Sequence, residues 1–216
     1  MVPVVTRPNF DALAPHYRWL EAVTFGPLLQ WCRTAFLPQL RDARRALVLG
    51  DGNGRFLAAL LAVTPDVAVD AVDISPGMTA LARRRTGNSP RVRFLVADAR
   101  EHPLRAAEYD LVVTNFFLDC FGPRDLELVI SRLVAALAPG GRFVIGDFRV
   151  PSGRFAGPAA ALALAAMYAA FRLTTRLSAG RLVDPSPMLA GAGLKFVEER
   201  TRLHGFLTAQ LWRKLL

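Results

Sequence analysis

Lysine is almost missing from this chain. Lys195 and Lys214 are its only two, so arginine carries nearly all of the 27 basic residues and of the net charge of +9. Cysteine is as scarce. Cys32 and Cys120 are not spaced as a redox pair or a metal knuckle, and two thiols make no disulfide framework, so both are expected as reduced, packed residues. No apolar run reaches the roughly 18 residues that a bilayer span requires. The opening Met1-Val2-Pro3-Val4-Val5-Thr6-Arg7-Pro8 lacks the charged start and long apolar stretch of a secretory leader. These absences point to the cytoplasm.

What is present bounds the chain further. At 216 residues and 52% apolar composition it is one domain's worth of sequence with enough material for a substantial core. A strongly basic balance can serve nucleic acid, an anionic membrane or an acidic substrate. The arginines are scattered, however: Arg41, Arg44, Arg45, Arg83, Arg84, Arg85, Arg91 and Arg93 fall at helix ends and loops, with no aromatic-interleaved stripe. The reading is a solvated basic surface, no nucleic-acid partner, and at most peripheral contact with an anionic membrane.

The most informative stretch is Ala46-Leu47-Val48-Leu49 followed by Gly50-Asp51-Gly52-Asn53-Gly54. The first four read as a buried strand, and Phe56-Leu57-Ala58-Ala59-Leu60-Leu61 continues as a helix. A strand, a glycine turn and a helix N-terminus bring bare main chain and unpaired N–H groups close to a ligand. The dinucleotide fingerprint G-x-G-x-x-G fails here, because its third glycine falls on Arg55 or Leu57, and no Gly-Lys-Ser/Thr follows as in a phosphate loop. The later strands also end in polar groups. Val67 to Val72 ends in Asp73, Val92 to Ala97 in Asp98, and Tyr109 to Thr114 in Asn115. In open α/β sheets ligands bind beyond the carboxyl ends of the strands, and an acid about 20 residues after the glycines suits the two hydroxyls of a ribose. Helix capping is the alternative use for each acid taken singly.

These motifs, with Val96-Ala97-Asp98-Ala99 and Leu137-Ala138-Pro139-Gly140-Gly141-Arg142, resemble in order and spacing the class I S-adenosylmethionine-dependent methyltransferases, nearest in pattern to those of ubiquinone and menaquinone biosynthesis. The resemblance covers roughly residues 40 to 150. It implies a doubly wound α/β fold with a seven-stranded, mostly parallel Rossmann-like sheet whose last strand is antiparallel. It also implies S-adenosyl-L-methionine as cofactor. Gly50, Gly52 and Gly54, with Asp51 and Asn53, would underlie its methionine part. Asp73 and Ile74 would meet the ribose, Asp98, Ala99 and Met78 the adenine, and Asn115 and Phe116 would lie beside the sulfonium. The family usually has an acid where this chain has Val48, and Asp51 is the candidate substitute.

Four parts follow: a helical cap over 1–40, a cofactor-binding core over 41–150, a helical insertion over 151–180 and closing strands over 181–216. The cap holds Trp19, Phe25, Trp31 and Phe36 and should close over the ligand edge; its Phe10-Asp11 and Tyr17-Arg18 look like the entry segment of quinone-type methyltransferases. The insertion Pro158 to Arg172 is apolar nearly all round, so it is buried against protein, sits on a membrane or lines a greasy pocket. Pro76 to Arg85 reads as a helix with Ser75 as its cap. Candidate bases are Asp119, His204 and Tyr17; Asp119 could instead cap the helix beginning at Pro123. No metal is expected. The function read from this is methyl transfer, to oxygen or carbon, on a small apolar or aromatic acceptor by in-line displacement. The alternatives are a nucleic-acid or protein methyltransferase and a non-catalytic cofactor-binding domain.

Overall fold

The computed structural model describes residues 26–151 and 182–216. Expectations that fall on Phe10, Tyr17, Trp19 and the 158–172 helix lie outside the described residues. Seven strands form one sheet: β1 Arg45–Leu49, β2 Ala68–Asp73, β3 Val92–Val96, β4 Tyr109–Asn115, β5 Leu137–Phe148, β6 Leu194–Arg202 and β7 Leu207–Lys214. Their order is β3-β2-β1-β4-β5-β7-β6, with β7 alone antiparallel to its neighbours. The helices are α1 Gly26–Thr34, α2 Arg55–Val63, α3 Pro76–Arg85, α4 Pro123–Ala136 and α5 Ser186–Gly191.

The central strands are apolar on both faces because both faces are covered. Val48, Val113 and Val144 point into one layer with Cys32, Phe36, Phe56 and Leu60. Leu47, Leu49, Val112 and Phe143 point the other way, onto Val129, Ile130 and Leu133 of α4. Helix α3 starts as the sequence predicts. Ser75 Oγ accepts the Met78 N–H at 3.1 Å, and Pro76 occupies the first position. Helix α2 is closed at its far end by Arg91, whose guanidinium donates to the carbonyls of Thr64, Pro65 and Leu61 at 2.6, 2.9 and 3.0 Å. Strand β5 begins at Leu137, ahead of the Gly140-Gly141 turn. Its pairing with β4 jumps from Tyr109–Leu137 to Leu111–Arg142, and this irregularity absorbs the Pro139-Gly140-Gly141 turn.

Asp70, fully buried in β2, ties the sheet together below its core. It takes two bonds from Arg93 at 2.8 and 2.6 Å, one from Arg45 at 2.8 Å and one from the Tyr109 hydroxyl at 2.7 Å. Burial pushes its carboxyl up, but the bonds from Arg93 and Tyr109 and the charge of Arg45 outweigh this and hold it below its ordinary range. Of the arginines expected as a solvated surface, Arg41, Arg44, Arg83, Arg84, Arg85 and Arg93 are exposed, Arg93 while also bound to Asp70, and Arg45 and Arg91 are half-buried.

Candidate active site

The carboxyl ends of β1, β2 and β4 meet at the glycine turn, and the three glycines do different work there. Gly50, Gly52 and Gly54 all have positive φ, at 63°, 59° and 78°. A Cβ on Gly54 would lie 2.7 Å from Ala82 Cα, so this glycine lets α3 close onto the start of α2. A Cβ on Gly50 would meet the Phe117 ring at 2.4 Å. At Gly52 the nearest atom among the described residues would be Met78 Sδ, 3.9 Å away, so of the three turn glycines Gly52 is the one no described residue crowds. Asn53 is buried, and its carbonyl accepts from Arg85 at 2.8 Å, which ties α3 to the turn.

Asp51 reaches under this turn and caps α2. Its carboxylate accepts the N–H groups of Phe56 at 3.2 Å and Leu57 at 2.9 Å. Burial raises its carboxyl to about 6, against the N–H bonds and the nearby Arg33, which lower it; Asp73 adds to the rise. An acid therefore does lie at the turn, although Val48 stands at the strand position where the family usually has one. Arg33 is buried on α1, with its guanidinium carbon 5.2 Å from the centre of the Phe116 ring.

The remaining cofactor candidates line the same rim. Asp73, half-buried at the tip of β2, accepts the Ser75 N–H at 2.9 Å. Ile74 beside it is half-buried, and Met78 lies under Gly52. Ala99 is packed in the core. Asp98 is placed after β3, but Arg100 forks onto it with Nη2–Oδ2 at 2.6 Å and Nε–Oδ1 at 3.0 Å, and also binds Asp125 at 3.0 Å. An adenine amine would have to share this carboxylate with Arg100.

Beyond β4 the chain turns sharply through Phe116, a bulky residue at φ 53°, whose N–H bonds to the Gly146 carbonyl at 2.7 Å. The turn aims Phe116 at Phe148, with ring centres 5.0 Å apart; Phe148 meets Phe206 at 5.4 Å. Leu29, Leu207 and Cys120 complete an apolar cluster at this end of the sheet. Asp119 sits within a short 3-10 turn, Leu118–Cys120, and does not cap α4, whose cap position is Gly122. It lies against Asp147, whose carboxyl accepts the N–H groups of Phe148 and Asp119. Burial, then the charge of Asp119, raise the Asp147 carboxyl well above its ordinary value. Tyr17 lies outside the described residues. His204 is exposed in the Leu203–Gly205 turn between β6 and β7, at φ 55°. Asp119 is thus joined by a different partner, Asp147. The rule of polar residues at strand ends, extended to the fifth strand, would have found it; nothing in the sequence marks Arg33. Among the described residues no three His, Cys, Asp or Glu side chains are grouped to hold a metal ion.

The comparisons with known proteins agree with this geometry. A family model described as a methyltransferase domain matches residues 46–141. The demethylmenaquinone methyltransferase of Thermus thermophilus is 36% identical over 145 residues, covering 66% of this chain and 65% of that protein. The demethylspheroidene O-methyltransferase of Rhodobacter capsulatus is 28% identical over 179 residues, covering 82% of this chain and 42% of its own length. The alignments thus span less than two thirds of either relative. In fold, the chain matches the N-methyltransferase NodS from Bradyrhizobium japonicum in complex with S-adenosyl-L-homocysteine, with a TM-score of 0.63 at 18% identity over 87% of this chain and 88% of that one. Strand order, glycine turn and family match identify residues 46–141 as a methyltransferase domain of the class I kind, with S-adenosylmethionine as its cofactor.

Proposed function

We propose that this chain methylates a small lipophilic acceptor, on oxygen or carbon. The observation that carries this reading is the aromatic cluster of Phe116, Phe148 and Phe206, set at the tips of β4 and β5 beside the glycine turn, where no described residue crowds Gly52. The residues present fit the cofactor. Gly52 leaves room for a ligand against bare main chain, and Asp73 offers carboxylate oxygens to ribose hydroxyls. Arg33 stands as the countercharge for the methionine carboxylate, while Asp51 adds negative charge under the turn. Ile74 and the Arg100-bound Asp98 lie along the rim, with Asn53, Met78 and Ala99 buried beneath it.

When bound, S-adenosylmethionine supplies a methyl group on a positively charged sulfur that leaves as a neutral thioether. The protein's own work is therefore chiefly placement, which can supply roughly 7–11 kcal/mol of a bimolecular barrier. The glycine turn fixes one reactant, and the Phe116–Phe148–Phe206 rings hold the other and exclude water. The exposed Phe196 and Val197, with Lys195 and Lys214, lie at the opposite end of the sheet; a membrane met there would not feed the site directly. Among the described residues no helix is long and apolar enough to cross a membrane.

The test is a screen of quinols, phenols and a lipid extract with methyl-labelled cofactor. Label is expected in an apolar small molecule. Label found only in nucleic acid or protein, or a chain that binds no cofactor, would overturn the reading.

A further inference from the structure

Beyond the ribose, the cofactor has one part left to place. Along the rim the strands run β3-β2-β1-β4, with the glycine turn after β1 and Asp73 at the tip of β2. A ligand with its methionine part at the first and its ribose at the second carries its base toward β3. The main chain shows how near that tip lies. The Ala97 N–H bonds to the Asp73 carbonyl at 3.0 Å, and Asp98 is the next residue. What stands there is a carboxylate already taken. Asp98 Oδ1 accepts the Arg100 backbone N–H at 2.9 Å and its Nε–H at 3.0 Å, and Oδ2 accepts Nη2–H at 2.6 Å. The Asp98 carbonyl accepts the N–H groups of Glu101 at 3.0 Å and His102 at 2.8 Å, so side chain and main chain together close the turn after β3.

The guanidinium is also pinned from the other side. Its Nη1 donates to Asp125 at 3.0 Å, in the first turn of α4. The Asp98 side chain is 6% exposed and that of Arg100 14%, so the arginine is the more accessible partner. Swinging it away would break these bonds and leave a buried carboxylate unpaired, which is costly. Three of the five guanidinium N–H groups enter the bonds to Asp98 and Asp125; among the described residues, two remain to donate elsewhere. The tip of β3 therefore offers a donor where a bare carboxylate would offer an acceptor.

We propose that the cofactor's base is met at the tip of β3 by Arg100, and that Asp98 holds this arginine in place and leaves the base's exocyclic amine unread. This rests on the methyl-transfer reading and names how that site chooses its cofactor. A guanidinium N–H bonds to an acceptor on the purine, either a ring nitrogen of adenine or the 6-oxygen of hypoxanthine. A carboxylate instead accepts from a 6-amino group, and it repels a 6-oxygen. The two arrangements differ in what they refuse: an acid at this tip excludes the 6-oxo base, and the arginine admits both. Arg100 thus sets specificity, while Asp98 and Asp125 are positioning residues.

The experiment titrates S-adenosylhomocysteine and S-inosylhomocysteine, which differ at the purine 6-position, by calorimetry into the full chain. The wild type is expected to bind the two within about tenfold of each other. Arg100→Gln uncovers Asp98 and should move the ratio by about tenfold or more toward the adenosyl ligand. Asp98→Asn should leave the ratio as it is, because it removes no contact to the base. If Arg100→Gln does not fold, the wild-type ratio and Asp98→Asn still decide. A wild-type preference for the adenosyl ligand beyond tenfold, a ratio unmoved in Arg100→Gln, or a selective loss of the adenosyl ligand in Asp98→Asn overturns the proposal while leaving methyl transfer standing. Failure of the wild type to bind S-adenosylhomocysteine at all overturns methyl transfer itself.

Discussion

A single buried carboxyl decides how the cofactor turn behaves with pH. The Asp51 carboxyl titrates at about 6 in the folded chain against an ordinary 3.8. Its folded value is raised, so its contribution to stability is complete below 3.8 and fades as pH climbs through about 6. Asp51→Asn keeps the cap but removes the buried charge. At pH 8 the variant should be more stable than the wild type, by on the order of 2–3 kcal/mol, and at pH 4 the two should converge. Denaturant unfolding at both pH values checks this; a gap that persists at pH 4 would contradict it. At the next strand tip, Asp73→Ala should weaken cofactor binding by more than about tenfold, roughly 1.4 kcal/mol, with the fold intact. Calorimetry with S-adenosylhomocysteine reads this directly, and unchanged affinity would release Asp73 from its role.

At the scale of elements, two glycines in one turn separate folding from binding. Gly54→Ala drives a Cβ to 2.7 Å from the α3 backbone at φ 78° and should cost about 2–3 kcal/mol in unfolding free energy. Gly52→Ala meets only the φ penalty, about 1 kcal/mol, yet should lose cofactor affinity by more than tenfold. Thermal melts and calorimetry on both variants test the contrast. Arg91→Ala, which uncaps the far end of α2, should cost about 1–2 kcal/mol without touching affinity. These elements were largely readable in advance. Tyr109–Asn115 and Pro76–Arg85 have the bounds that their apolar runs and the Ser75-Pro76 start imply. Local pattern could not show which turn glycine meets α3 and which meets a ligand, because that depends on helix α3 folding back over residue 54. Nor could it show Asp119 and Asp147 together, since their approach follows from β4 and β5 pairing in register. The Arg100 fork on Asp98 was likewise invisible, because a basic residue two positions after an acid is as often solvated as bound.

For the molecule as a whole, the cofactor is expected to act as a stabilising ligand. At about 100 times its Kd, S-adenosylhomocysteine should contribute about 2.7 kcal/mol and raise the melting temperature by roughly 5–10 °C. A scan that shows no shift at that concentration would contradict the site. The arginine excess also finds its use at this scale. Arg45 and Arg93 bind Asp70, Arg100 binds Asp98, Arg149 binds Glu199, and Arg91 closes the end of α2, so these arginines hold elements of the fold together.

The knot around Asp70 makes the sheet lopsided in what it tolerates. Along its amino-terminal margin, donors and acceptors are spent on one another, so substitutions there should surface as poor yield and early melting. Along the opposite margin lie the glycine turn, Asp73 and the aromatic cluster proposed to hold cofactor and acceptor, and changes there should redraw which compounds are modified while the scaffold stands. Laboratory evolution toward new acceptors would then concentrate its accepted changes on that second margin, and Asp70 with its three partners would stay as they are.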